Sequence, residues 1–104
     1  MGEAARKVLV TGSIQARPER VGELLALSLE HVRRSRAEPG CLSHAVHRDV
    51  EDPLRLVFVE EWSDRAALLA HFALPASRAF VKAAAACATG APSMSLYEVD
   101  ALSP

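Results

Sequence analysis

His71, Glu60 and Trp62 are the residues of this chain best suited to move a proton and hold a flat ligand. Glu60 and Trp62 stand two apart at the end of an apolar run, so on a strand they share one face. A carboxylate there can bind or orient, and an indole ring there makes a wall. Histidine titrates near neutral pH, which suits His71 to general-base work. A Glu60–His71 pair, if the chain folds back to allow it, raises the basicity of the imidazole. A structural reading competes at each position. Trp62 can pack in a dimer core, Glu60 can pair with Arg48 or Arg65, and His71 can fix its helix against the preceding strand.

The remaining histidines and hydroxyls are less pointed. His44 shares a strand face with Leu42 and Val46 and points either into a cavity or into the core. His44 and His47 are three apart on a strand, hence on opposite faces, and cannot chelate one ion without a bulge. No metal site is expected from them. His31 sits beside the apolar stripe of the first helix and reads as a solvated or interface residue. The Thr11 and Ser13 hydroxyls lie opposite the apolar row of the first strand, where they line a cavity or bond to neighbours.

Elements must hold these groups in place. Lys7 to Ala16 alternates, with Val8, Val10 and Ile14 on one side and Leu9, Thr11, Ser13 and Gln15 on the other, as in a half-buried strand. Gly12 inside it marks a bulge or a close backbone approach. From Glu19 the period becomes helical through Val21, Leu24, Leu25, Ser28 and Val32. Pro39 ends that helix near Glu38, and Gly40 permits a left-handed turn. Cys41 to Val50 and Leu54 to Trp62 read as strands around the turn Glu51-Asp52-Pro53. Ser63 or Asp64 caps a helix over Ala66 to Phe72. Pro75 breaks it, and Ala76 to Ala88 resumes with Phe80 and Val81 inward. Ser93 to Val99 is a last strand in which Met94, Leu96 and Tyr97 pack.

The order is β-α-β-β-α-β, a ferredoxin-like α+β domain with a four-stranded antiparallel sheet. Helices cover one face. The other is expected to carry Leu, Val, Phe and Trp side chains too apolar for water. Pairing with a second copy, sheet to sheet, would cover it and enclose a cavity between the sheets.

Composition narrows the function class. The chain has 104 residues, enough for a single domain over 1–104. Its 12 basic and 13 acidic residues leave a net charge of −1, unlike a nucleic-acid surface. Arg33-Arg34-Ser35-Arg36 is the local exception; it suits the negative end of a helix, or a phosphate or partner site. Cys41 and Cys87 are too few for a disulfide framework and fit a reduced, cytoplasmic setting. Met1 to Lys7 has no apolar core of signal-peptide length, and no stretch reaches the ~20 apolar residues of a membrane span.

Taken in order, Pro18, Glu38-Pro39-Gly40-Cys41, Arg48-Asp49, Asp52-Pro53, Glu60, Trp62, Ala67, Leu68, His71 and Pro75 resemble the antibiotic biosynthesis monooxygenase family. The resemblance runs across nearly the whole chain and implies a dimeric α+β barrel. That family spans quinol and polyketide monooxygenases, a signal-molecule isomerase and haem-degrading enzymes. The haem-degrading branch is similar in a histidine after the third strand and a nearby tryptophan, but it has an asparagine on the first strand. This chain contains no asparagine. It also lacks a glycine-rich nucleotide fingerprint, a phosphate loop and CxxC. The resemblance therefore implies oxidation of a small aromatic or quinol by dioxygen without flavin, haem or metal. On that reading His71 is the base, Glu60 orients it, and Trp62, His44, Phe58, Ser13 and Phe72 bind the substrate. The alternatives are a non-oxidative isomerase, a small-molecule-binding stress-response barrel, or a structural dimerisation module whose interior is packed solid.

Overall fold

Strand alternation and helical periods place the elements close to expectation. The computed structural model describes residues 6–104, so most of the Met1–Lys7 segment read for a leader lies outside the described residues. Strand β1 (Lys7–Gln15) leads through a single 3-10 turn (Pro18–Arg20) into α1 (Val21–Ser35). Strands β2 (Cys41–Arg48) and β3 (Arg55–Trp62) form a hairpin. Helices α2 (Arg65–Ala73) and α3 (Pro75–Cys87) precede β4 (Ser93–Val99). The sheet is antiparallel throughout, in the order β2-β3-β1-β4. The second helical passage is split because Leu74, ahead of Pro75, is extended. Among the described residues, no helix is long and apolar enough to cross a membrane.

Gly12 makes no bulge; β1 keeps continuous register with both neighbours. The close approach is real instead, since a Cβ at Gly12 would stand 2.8 Å from the Ser93 carbonyl oxygen. The bulge lies in β2, where the register shifts between Cys41 and Ser43.

Register decides which face the helices cover. Val8, Val10 and Gly12 stand opposite Trp62, Glu60 and Phe58, and His44 stands opposite Glu60. All these share the helix-covered face. The expectation that Phe and Trp lie on the outer face is corrected. That face carries Leu9, Val57, Val59 and Tyr97 with Thr11, Ser13 and His47. Met94, Leu96 and Tyr97 do not pack as expected; each is about half exposed, because β4 is an edge strand beyond the helices. Val81 is likewise exposed rather than inward.

The core has two parts. Leu24, Val32, Leu56, Phe58, Ala84 and Cys87 form one cluster, and Val8, Val10, Trp62 and Leu68 the other. Along β3, Glu60 falls between Phe58 of the first cluster and Trp62 of the second.

Candidate active site

A cavity of about 530 Å³ lies between the covered face of the sheet and the helices of a single chain. This cavity lies within one chain, and a cavity between two sheets is a separate expectation that concerns a second copy. Its lining is apolar along Val10, Ile14, Phe58, Phe72, Phe80 and Ala84. Against that background His31, His44, His71 and Glu60 form one polar patch. All four are buried.

The turn after α1 builds the patch. Gly40 has φ +80°, and a Cβ there would lie 2.5 Å from Ala67 Cβ and 2.7 Å from Ser63 Oγ. The Ser63 amide donates to the Gly40 carbonyl at 2.8 Å. Asp64 caps α2 by accepting from the Ala67 amide at 2.8 Å. The turn is therefore clamped against the start of α2, and Glu38 arrives beside His71. His71 Nδ1–H donates to Glu38 Oε1 at 2.7 Å. The carboxylate can only accept, so in neutral His71 the lone pair is on Nε2. Among the described residues no hydrogen bond is made at Nε2, and His71 lines the cavity. Glu38 also lines an outer groove of about 310 Å³ on the other side of His71.

Among the described residues Glu60 makes no hydrogen bond to His71, Arg48 or Arg65. Glu60 Oε1 accepts from Trp62 Nε1–H at 2.9 Å, and Oε2 lies 3.4 Å from His44 Nε2. Arg65 pairs with Glu98 across the edge of the sheet. Burial pushes the Glu60 carboxyl up, but His44, the Trp62 N–H and His71 outweigh it and hold it below the usual range.

Trp62 is fully buried, with its ring centroid 4.7 Å from that of His71. It backs the histidine from the core of the chain and does not line the cavity. His44, Phe58 and Phe72 do line the cavity. Ser13 is among the lining residues, though its parity places the side chain on the outer face, where its hydroxyl is 2.7 Å from that of Ser93. His47 lies on that outer face too.

His31 is the largest departure from expectation. It is 6% exposed, stacked on Phe80 at 4.1 Å between ring centroids. Arg34 Nη2 donates to His31 Nδ1 at 2.9 Å and to the Ala76 carbonyl at 3.3 Å. Burial, then His44, His71 and Arg34, lower the His31 pKa to about 3, so the imidazole is neutral. The signal was present in the sequence: Leu24, Ser28, His31 and Ser35 follow i, i+4, i+7, i+11, and all four are buried. The roles of Glu38 and Arg34 carried no such signal.

One ring nitrogen from each of His31, His44 and His71 lies within 4.8 Å of the others, close to the spacing of a metal site. A metal needs an imidazole lone pair from each ligand. Arginine can only donate, so Arg34 already occupies the His31 lone pair and leaves a proton on Nε2. The patch as built offers a free lone pair from His71 but not from His31. His44 Nε2 faces Glu60 Oε2 at 3.4 Å, and among the described residues its Nδ1 has no hydrogen-bond partner.

Comparison with known proteins agrees with this architecture. The family described as antibiotic biosynthesis monooxygenase matches residues 7–83. A solved structure of an antibiotic biosynthesis monooxygenase is 32% identical, covers 90% of this chain and 99% of its own, and superposes with a TM-score of 0.84. A conserved protein from Methanosarcina mazei is 23% identical with a TM-score of 0.87, covering 93% and 96% of the two chains, and shows the shared fold. An uncharacterized protein of Synechocystis sp. is 37% identical over 75 residues, 72% of this chain. The chain spans about half the length of that relative, 51%.

Proposed function

This chain belongs to the antibiotic biosynthesis monooxygenase family, and we propose that it oxidises a small electron-rich phenol or hydroquinone with dioxygen, using no flavin, haem or metal. The supporting observation is the His71 lone pair at Nε2, set in an apolar cavity with Nδ1–H tied to Glu38. Glu38, not Glu60, orients the base.

The substrate hydroxyl gives its proton to His71 Nε2. The anion passes one electron to dioxygen, and the resulting radical pair combines to a carbon-bound peroxide. The O–O bond then breaks. One oxygen stays as the quinone carbonyl, and the other leaves as water with the hydrogen lost from carbon and the proton from the base. The substrate supplies all the electrons. A cavity lined by Phe58, Phe72 and Phe80 excludes water from the charged intermediates. Glu38 stabilises the imidazolium while it holds the proton.

We place the protein in a homodimer paired through the outer sheet faces, where Leu9, Val57, Val59 and Tyr97 form an apolar strip. Dioxygen uptake with a panel of hydroquinones tests the reaction. The expected outcome is uptake above autoxidation that falls about 10²–10⁴-fold in His71→Ala, as for loss of a general base. Ligand binding without uptake would instead favour a non-oxidative isomerase or binding protein.

A further inference from the structure

We propose that His31, held by Arg34 as the Nε2–H tautomer, is the hydrogen-bond donor that receives the ionised oxygen of an acidic hydroxyarene in the cavity. This rests on the reading that the cavity takes phenols, and adds the residue that holds the anion.

Two partners of fixed polarity set two opposite tautomers. Glu38 accepts from His71 Nδ1–H, so His71 offers a lone pair at Nε2. Arg34 donates to His31 Nδ1, so His31 offers an N–H at Nε2. The two rings are 5.1 Å apart between centroids, and a nitrogen of each lies within 4.8 Å of one on the other. With those nitrogens taken as the two Nε2 atoms, one substrate oxygen at a normal hydrogen-bond distance of ~2.8 Å meets both. The neutral hydroxyl donates to His71 and accepts from His31. After proton transfer the oxyanion keeps the His31 bond.

The surroundings suit a neutral donor. His31 stacks on Phe80 and is only 6% exposed. His44, His71 and the Arg34 guanidinium face it, all opposing a second proton on the ring. Glu60 favours that proton, but burial outweighs it. A donor that stays neutral does not surrender its proton to the anion it binds. Arg34 is the positioning residue, and its own lock is the bond to the Ala76 carbonyl at the start of α3.

The test is binding of 4-nitrophenol, whose anion has a visible absorption band, to the full chain and to His31→Phe and Arg34→Met. The expected result is that wild type binds the anion and that His31→Phe binds it about 10- to 100-fold more weakly, as for a lost hydrogen bond to a charged group. Affinity for the neutral phenol falls less, about 2- to 10-fold, because it loses a hydrogen bond between uncharged partners while the stacking on Phe80 is kept. Arg34→Met weakens anion binding less, since His31 remains but can exchange tautomers. Nitrogen NMR of labelled histidine reads the tautomer directly: Nε2–H at His31 in wild type, and a mixture in Arg34→Met. Unchanged anion affinity in His31→Phe, or an Nδ1–H tautomer at His31 in wild type, would overturn the proposal. A protein that binds nitrophenolate in a His31-dependent way yet consumes no dioxygen would refute the oxygenase reading alone.

Discussion

The unit of chemistry in this cavity is the imidazole with a partner of known polarity. His71 is a candidate base because a carboxylate holds the far nitrogen, and that carboxylate is Glu38. Glu38→Gln keeps the side-chain shape but removes the charge that stabilises imidazolium. Turnover of a hydroquinone should fall about 10- to 100-fold, with thermal stability little changed. A fall no larger than for Glu60→Gln would return the orienting role to Glu60. His31 makes a second, thermodynamic prediction. Its pKa drops from 6.5 in the unfolded chain to about 3 in the fold. Between those values the unfolded state binds the extra proton, so stability is highest above the unfolded pKa and declines as pH falls. The slope is about 1.4 kcal/mol per pH unit from this residue. Urea titrations at successive pH values should show it, and His31→Phe should flatten it. His71 and Glu60 stood out in the sequence because their residue types and spacing carry chemistry. The bond from Glu38 to His71 did not, because it joins residues 33 apart through a turn whose path is a tertiary matter.

That turn belongs to the scale of elements. Gly40 serves the site twice, through a backbone angle that favours glycine and through the missing Cβ that lets Ser63 and Ala67 close in. Gly40→Ala should cost about 2 kcal/mol or more in equilibrium unfolding. It should also lower turnover beyond the loss of folded protein, because the strain is relieved by moving Glu38 from His71. Full specific activity in the folded variant would separate the turn from the site. The elements themselves were legible, because alternation, helical period, Pro39 and Pro75 each act locally. The covered face of the sheet was not. Both rows of β1 and β3 carry apolar residues, Val8 and Val10 against Leu9, Phe58 against Val57 and Val59. Parity separates the rows, but only the packing of α1 and α2 says which row is roofed. From that choice came the dimer-core reading of Trp62, which lies under the helices instead.

For the whole molecule, the placement of the cavity changes what a dimer is for. A cavity between two sheets would vanish on dissociation. A cavity under the helices of one chain need not. Val59, opposite Thr11 on the outer face, is partly exposed and points away from the covered row. Val59→Asp puts a charge at the proposed sheet–sheet interface, and again at its symmetry mate. The dimer dissociation constant measured by sedimentation should rise about 10-fold or more, and 4-nitrophenol affinity of the resulting monomer should stay within a few-fold of wild type. Binding lost in step with dissociation would mean that the second copy completes the site. Binding kept by the monomer would assign the partner to covering the apolar strip of Leu9, Val57 and Tyr97. The burial of His31, His44 and His71 would then be the work of one chain.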